Sequence, residues 1–338
     1  MEILELLATC VARGASDLHL SCGLPPMLRI DGDLEAASKP AISAAEMHAV
    51  VDEVAPGQAD ACSHDADFVV ELPRVARFRV NLFQQSRGPA AVFRVVPVTV
   101  PTMAELDMGA VFRGIADVPH GLVIVTGATG SGKSTTLAAI VDYINASRHQ
   151  HILTIEDPIE FVHVPRGCLV TQREVGRDCA DFAGALRAAL RQDPDVILIG
   201  EMRDREAIQL TLTAAETGHL VLATLHAPSA PNAVDRIVDV FPGAEKDAVR
   251  ALLADCLQAV VAQTLVKRVD GGRVAAHEIM LATPAVRSLI REHKVAQLYS
   301  TIQTSAAAGM RTLDQSLKAL VEVGAVSADT ARAKARFP

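Results

Sequence analysis

The sequence predicts an α/β protein in which a small α+β domain precedes a larger domain with a mainly parallel sheet. In the second part of the chain, short apolar runs alternate with longer segments of helical spacing, which is typical of parallel strands joined by crossover helices. These runs are 122–125, 152–155, 196–199 and 220–223. In the first part, short segments with alternating apolar residues lie between turn residues, which favours an antiparallel sheet.

The first part of the chain predicts one helix and several strands. Residues 3–13 have helical spacing and end at Gly14. Their apolar stripe consists of Leu4, Leu7, Ala8 and Val11. Asp31-Gly32 suits a two-residue hairpin because glycine tolerates a positive φ. Strands are predicted at 28–30, 77–82 and 91–96.

Prolines mark the boundary between the two parts. Pro97 and Pro101 bracket a segment with neither helical nor hairpin character, which predicts a linker over residues 98–104. We therefore predict one domain over residues 1–97 and a second over residues 105–338.

The last part of the chain predicts two more strands and a helical end. Residues 260–281 contain two apolar segments around a glycine-rich turn, and we expect them to add antiparallel edge strands. Residues 284–335 have helical spacing throughout.

The composition limits the classes of function. The chain has 338 residues, of which 50% are hydrophobic and 21% charged, so it can bury a core. Its net charge of −8 argues against a dedicated nucleic-acid-binding protein, because such proteins use cations to neutralise phosphates. The chain has nine phenylalanines, two tyrosines and no tryptophan, which leaves few rings for stacking on bases.

The cysteines and the N-terminus point to a reducing compartment. No two cysteines form a C-x-x-C pair, which argues against a metal cluster and a disulfide framework. The cysteines are Cys10, Cys22, Cys62, Cys168, Cys179 and Cys256. Residues 1–7 carry acids where a secretory signal has cations, and no apolar stretch approaches 18 residues. We therefore expect a cytoplasmic protein without membrane insertion.

A complete phosphate-binding motif follows the first apolar run. Residues 127–134 match G-x-x-x-x-G-K-[ST] in full. Glycines suit such a loop because backbone N–H groups must approach the phosphates closely. Lys133 would contact the β and γ phosphates, and the Ser134 hydroxyl would bind Mg²⁺. The alternative is a strand-to-helix turn that binds nothing. The predicted nucleotide-binding residues are Gly127, Ala128, Thr129, Gly130, Ser131, Gly132, Lys133, Ser134 and Thr135.

Two acidic segments follow the loop. Residues 195–201 form an apolar strand that ends in Glu201, as a Walker B strand does, which places a carboxylate near Mg²⁺ and the attacking water. Residues 154–160 hold three carboxylates within five residues, the last being Glu160, and such charges repel one another unless a cation offsets them. The alternatives are a helix N-cap for Glu201 and a solvated turn for residues 154–160.

Two histidines flank another apolar strand. His219 precedes the run at 220–223, and His226 follows the strand. Because single histidines are more often structural than catalytic, the residues alone leave both roles open.

Along the chain these four elements follow one another as the phosphate-binding loop, the acidic segment 154–160, the Walker B strand and the histidine segment. In that order they resemble the secretion-type ATPases of the RecA-like P-loop class, and within it the PilT family of type IV pilus retraction ATPases. The similarity extends over essentially the whole chain and includes residues 14–20, 77–81 and 200–204. The C-terminal motif of that family, Ala-Ile-Arg-Asn-Leu-Ile-Arg-Glu, corresponds to residues 285–292. Here Val286 and Ser288 replace the isoleucine and the asparagine.

The resemblance implies a homohexameric ring with a PAS-like N-terminal domain and a RecA-like motor domain in each subunit. It implies Mg²⁺-dependent ATP hydrolysis that drives pilus retraction and twitching motility. It also implies a peripheral position at the inner-membrane base of the pilus, with the platform protein of that machine as a partner and with no nucleic acid.

The same resemblance implies roles for individual residues. Lys133 and Ser134 would hold the phosphates and Mg²⁺, while Glu160 and Glu201 would share the positioning of the metal and the water. Which of the two carboxylates is the general base stays open.

Residues outside the loop and the acidic segments also acquire roles from the resemblance. His219 and His226 would sense the nucleotide, and Arg77 and Arg79 would approach the γ-phosphate when the two domains close.

Two interpretations are open for two arginines of the C-terminal motif. Arg287 and Arg291 lie four residues apart on one helix face. The resemblance implies a role in retraction, and the alternative is a solvated face.

Three alternatives to a retraction motor remain. A PilU-like accessory retraction ATPase is closest, although such chains extend further at the C-terminus, beyond the position of Pro338. A RecA-like nucleic-acid translocase is disfavoured by the charge and the few aromatic residues. A module that binds nucleotide without hydrolysing it would not need Lys133, Glu160 and Glu201 together. We do not expect an assembly or type II secretion ATPase, because those proteins have longer N-terminal regions and many carry a four-cysteine zinc element.

Overall fold

The computed structural model describes residues 3–54, 65–72, 76–96 and 99–336. Internal contacts divide the chain into two compact units, Met1–Thr99 and Val100–Pro338. Pro97 and Val98, at the start of the predicted linker, lie outside the described residues, and the predicted domain limits stay a prediction. Throughout the described ranges, each helix is too short or too polar to cross a bilayer.

The first unit is built on an antiparallel sheet. Its helices are α1 (Ile3–Ala12) and α2 (Ala44–Val54). Its strands are β1 (Asp17–Ser21), β2 (Met27–Ile30), β3 (Asp33–Ala36), β4 (Ala66–Leu72), β5 (Ala76–Gln85) and β6 (Gly88–Val96). Within the described residues the sheet order is β3-β2-β1-β6-β5-β4, with every neighbouring pair antiparallel. The PAS-like character of this unit stays a prediction.

Two local features of the first unit follow the sequence and one differs. Asp31 and Gly32 both have positive φ, 51° and 95°, as a tight hairpin between β2 and β3 requires. Along β5, alternate residues beginning at Ala76 are buried, as the pattern predicts. The predicted stripe of α1 is wrong at Leu4, which is 48% exposed. Leu7 is buried as predicted, and the buried stripe also includes Ile3 in place of Leu4, because apolar residues at both 3 and 4 permit two stripes that periodicity alone does not separate.

The second unit contains the mainly parallel sheet. Its first half comprises α3 (Ala110–Ala116), β7 (Gly121–Thr126), α4 (Lys133–Ser147), β8 (His151–Glu156), β9 (Leu169–Glu174), α5 (Phe182–Ala189) and β10 (Val196–Ile199). It continues with α6 (Arg205–Glu216), β11 (Leu220–Leu225), α7 (Ala230–Asp239), α8 (Lys246–Cys256), β12 (Leu257–Lys267) and β13 (Arg273–Leu281). The C-terminal helices are α9 (Pro284–Arg291), α10 (Leu298–Thr304), α11 (Leu313–Glu322) and α12 (Ala328–Arg332).

The sheet order of the second unit is β13-β12-β7-β11-β10-β8-β9. Neighbours from β12 to β9 run parallel, and β13 runs antiparallel to β12. The predicted α/β class with a mainly parallel sheet and a helical C-terminus is therefore confirmed. The expectation of antiparallel edge strands at 260–281 holds for β13 and is wrong for β12, because β12 follows the crossover through α7 and α8 and so returns parallel to β7.

Apolar side chains cover both faces of this sheet. Along β7, Leu122 and Ile124 pack into one core cluster, and Val123 and Val125 pack into another on the opposite face. Burial on both faces explains why this strand is a continuous apolar run rather than an alternating one.

Because the strands are parallel, the carboxyl ends of β7, β8, β10 and β11 meet at one edge of the sheet, where open α/β sheets bind ligands. The phosphate-binding motif, the two acidic segments and His226 all follow these ends. The fold therefore collects the residues that the sequence singles out.

Candidate nucleotide site

The phosphate-binding loop connects β7 to α4 and depends on glycine at specific positions. Gly127, Gly130 and Gly132 have φ of 144°, 75° and 87°, which side chains rarely permit. A Cβ at Gly127 would also lie 2.3 Å from the backbone oxygen of Gln263 on β12. The loop therefore has no room for a larger residue at its first position.

Lys133 is the first residue of α4, and its side chain extends back to the loop. Its side chain is largely buried, and Nζ donates hydrogen bonds to the carbonyls of Gly127 and Ala128, each at 3.0 Å. Burial lowers the pKa of Lys133, while the negative charges of Glu201 and Glu160 act in the opposite direction. The two predicted carboxylates thus act electrostatically on the predicted lysine.

Glu201, after the end of β10, contacts two donors. One carboxylate oxygen accepts from Arg203 Nε at 2.7 Å, and the other lies 3.0 Å from His226 Nε2. Arg203 also donates to Asp157 Oδ2 at 3.1 Å. A single guanidinium therefore joins the acidic segments that follow β8 and β10, and His226 connects the end of β11 to the same carboxylate.

Glu156, the first acid of the 154–160 segment, has a structural role in the chain that follows β8. Glu156 accepts hydrogen bonds from Thr154 Oγ1 at 2.7 Å and Gln172 Nε2 at 3.1 Å, and burial raises its pKa. The Gln172 side chain also bonds to backbone groups of Phe161 and His163. In contrast, Glu160 is exposed, so the segment separates a structural carboxylate from one that is accessible to a ligand.

Hydroxyl groups hold the strand ends together. Thr126 Oγ1 lies 2.8 Å from the carbonyl of Leu225 and 2.9 Å from that of Ala227, and it accepts from Ala227 N at 2.7 Å. Thr224 Oγ1 donates to the carbonyl of Gly200. The loops after β7, β10 and β11 are therefore connected by direct hydrogen bonds.

Within the second unit, His219 lies away from the side chains around the phosphate-binding loop. It immediately precedes β11, and its Nδ1 lies 2.9 Å from the carbonyl of Ala214. Six residues at about 3.3 Å each place it about 20 Å from the other end of the strand. Its predicted nucleotide-sensing role stays a prediction, and the local contacts are those of a structural histidine.

Arg77 and Arg79 belong to the first unit. They alternate with the buried Phe78 and Val80 of β5, so they lie on the face of the sheet opposite that core. Arg79 Nε is 3.7 Å from Asp67 Oδ1 on β4. Their predicted approach to the γ-phosphate stays a prediction.

Gln263 is a site residue that the sequence reasoning missed. Its side chain contacts both the phosphate-binding loop and α4. The available signal was an amide directly after the apolar residues 259–262 of β12, where a polar residue needs a buried partner.

The loop suits a phosphate group and the carboxylates suit Mg²⁺. Ser131 Oγ is buried in the loop and has no hydrogen-bond partner among the described residues, so it can accept one from or donate one to a ligand. Ser134, Glu160 and Glu201 supply hydroxyl and carboxylate oxygens, which Mg²⁺ prefers. In the described ranges, no group of three or more His, Cys, Asp or Glu forms a metal site of its own. Mg²⁺ commonly binds through one or two protein oxygens together with substrate phosphates, which matches this donor set.

Comparisons with known proteins show the family to which the chain belongs. A family model described as "Type II/IV secretion system protein" matches residues 2–331. The chain is 58% identical to "Type IV pilus retractation ATPase PilT" of Pseudomonas aeruginosa, over 100% of this chain and 99% of that protein. It is 52% identical to a "Twitching motility protein" of Neisseria gonorrhoeae, over 99% and 91% of the two chains. Identity to the P. aeruginosa "Type IV pilus ATPase PilU" is 41%, over 99% and 89%.

A solved structure described as "Crystal Structure of the Pilus Retraction Motor PilT and Bound ADP" superposes with a TM-score of 0.88 at 40% identity, covering 100% of this chain and 98% of that one. The match confirms the predicted RecA-like motor domain of a P-loop ATPase. The chain belongs to the type II/IV secretion system protein family and, within it, to the PilT family of pilus retraction ATPases.

Proposed function

We propose that the protein is a Mg²⁺-dependent ATPase that assembles as a homohexamer and drives type IV pilus retraction. One observation carries the proposal: the charges of Glu201 and Glu160 act on Lys133 at the phosphate-binding loop, in a chain that is similar over its full length to a retraction ATPase. A binding module without hydrolysis would not need this complete set.

The loop and α4 supply the binding of the phosphates. Backbone N–H groups at the helix N-terminus favour an anion, and the Lys133 ammonium adds a full positive charge at the same place. An ammonium has three donors, and two are directed at carbonyls of its own loop, which fixes the charge at the loop centre. Much of the catalysis of phosphoryl transfer comes from such positioning and charge neutralisation.

Glu160, Glu201 and Ser134 would hold Mg²⁺, which when bound neutralises charge on the β and γ phosphates. Arg203 contacts one carboxylate oxygen of Glu201 and His226 contacts the other, so both oxygens occupy defined positions. We propose that these contacts align the carboxylate with the attacking water, and that His226 reports the state of Glu201 to β11. Glu160 and Glu201 remain equal candidates for the general base.

The remaining roles also belong to the proposal. Arg77 and Arg79 would add positive charge at the γ-phosphate, and His219 would respond to the nucleotide. The protein would be cytoplasmic, would lie at the inner-membrane base of the pilus, and would act on the platform protein there.

The first test is hydrolysis by a loop variant. Lys133→Ala should lower Mg²⁺-dependent ATP hydrolysis by on the order of a hundredfold to a thousandfold or more, because it removes the charge at the phosphates. Particle mass should stay that of a hexamer, because the hydrogen bonds of the Lys133 side chain lie within its own loop. The matched control is Lys318→Ala. Lys318 is exposed and forms one weak helical ion pair, so this variant should hydrolyse ATP as the unchanged protein does. Full activity of Lys133→Ala would refute the site.

The second test addresses the biological role. A deletion strain should be hyperpiliated and unable to twitch, and Lys133→Ala should fail to restore twitching. Normal twitching in the deletion strain would contradict a principal retraction role. Stimulation of hydrolysis by single-stranded DNA would instead support a translocase.

A further inference from the structure

Gln263 lies in the middle of β12 among apolar neighbours, and its side chain is only 6% exposed. A buried amide is costly unless its groups are paired. Both ends of this amide are paired: Oε1 accepts from Thr136 Oγ1 at 2.7 Å, and Nε2 donates to the carbonyl of Ser131 at 2.7 Å.

The two partners belong to different parts of the candidate site. Ser131 is in the phosphate-binding loop, and Thr136 is in the first turn of α4. The carbonyl of Ser131 can only accept, so the NH₂ end of Gln263 must face the loop and the oxygen must face the threonine hydroxyl. One side chain of the neighbouring strand therefore links the loop to the helix that the loop opens.

Packing against Gln263 reinforces these hydrogen bonds at both ends of the loop. A Cβ at Gly127 would lie 2.3 Å from the Gln263 backbone oxygen, and a Cβ at Gly132 would lie 2.8 Å from its Nε2. The glycines thus permit Gln263 to contact the loop directly, in addition to giving the loop its positive φ angles.

A glycine-rich loop has many conformations, and ordering it at the moment of binding costs affinity. We propose that Gln263 is a positioning residue that holds the loop in its phosphate-binding conformation before the nucleotide arrives. This inference rests on the proposed ATPase function and deepens it, because it assigns a role in nucleotide affinity to a residue of β12, a strand that β7 and β11 separate from β10 in the sheet.

The test is Gln263→Glu, which keeps the shape and the acceptor to Thr136 but places an oxygen opposite the carbonyl of Ser131. The dissociation constant of ADP, measured by titration calorimetry, and the KM for ATP should both rise about tenfold, the equivalent of one lost hydrogen bond. The kcat at saturating ATP should change less than threefold, because the lost interaction contributes equally to the bound ground state and the transition state.

The matched control is Gln258→Glu, on the same strand, where the amide donates to the carbonyl of His120 at 3.0 Å, before β7 and at the opposite end of that strand from the loop. It should leave the ADP dissociation constant unchanged. A second pair keeps the test valid if Gln263→Glu does not fold: Thr136→Val should weaken ADP binding, and Thr136→Ser, which keeps the hydroxyl, should restore it.

The inference is overturned if Gln263→Glu binds ADP as tightly as the unchanged protein, or if Gln258→Glu weakens ADP binding equally. Absence of ADP binding and ATP hydrolysis in the unchanged protein would instead refute the proposed function itself.

Discussion

Arg287 on α9 caps the C-terminal end of α8, and we expect its removal to destabilise the second unit. Its guanidinium donates to the carbonyl of Ala254, to that of Asp255 at 2.7 Å, and to that of Ala282 at 2.9 Å. The last carbonyls of a helix have no partner within the helix, so they depend on such donors. The change that tests this contact is Arg287→Ala.

The magnitude follows from the contacts. A hydrogen bond to a charged group contributes about 1.5–3 kcal/mol when well buried. A cation at a helix C-terminus adds about 0.3–1 kcal/mol. Arg287 is partly exposed, so water replaces some of the lost bonds, and we expect a total loss of about 2–3 kcal/mol. In a unit of this size each kcal/mol lowers Tm by about 2–4 °C, which gives a decrease of about 4–12 °C.

The assay is thermal unfolding, with Arg291→Ala as the matched control. Arg291 lies on the same helix and forms an exposed ion pair with Asp255. Exposed pairs contribute about 0–1 kcal/mol, so its Tm should fall by about 4 °C at most. Equal decreases in the two variants would refute the reasoning. The interpretation of both arginines as a solvated face is already wrong for Arg287, while their role in retraction stays a prediction.

Two more predictions concern the loop and a buried acid. Gly127→Ala should abolish measurable ADP binding in a calorimetric titration, because the added Cβ meets a backbone oxygen. The control is Gly130→Ala, whose Cβ meets nothing within 4 Å and which should therefore bind ADP more tightly than Gly127→Ala. Equal affinities of the two variants would contradict this prediction. Burial raises the pKa of Glu278, whose carboxylate accepts from Ala230 N, above 4.5. The folded protein therefore holds this proton more tightly than the unfolded chain, and the free energy of unfolding should fall as pH rises from about 4.5 through the folded pKa. Glu278→Gln should lack that decrease in urea unfolding at pH 5 and pH 8, and an identical pH dependence in both proteins would contradict the assignment.

Local signals were sufficient for much of the site. The loop at 127–134 is contiguous, and its chemistry is contained in eight residues, so the sequence predicts it without knowledge of the fold. Glu201 and His226 follow apolar runs, and the rule that parallel strands end at one edge was enough to bring them together.

What the sequence did not reveal depends on contacts between distant segments. Gln263 is 132 residues from the Ser131 carbonyl that it contacts, and Arg287 is 33 residues from Ala254. Neither contact leaves a periodic trace, because one polar residue within an apolar strand, or one arginine on a helix face, has the same pattern whether it is bonded or solvated. The direction of β12 depended in the same way on where the preceding crossover helices pack.

The hydroxyl of Thr126 has a mechanical consequence. It connects the last residue of β7, which leads into the phosphate-binding loop, to the backbone on both sides of His226. If one of these strand ends is displaced, the hydrogen bonds between them must stretch. A movement of the loop that a bound phosphate produces would therefore reach the end of β11 through one side chain.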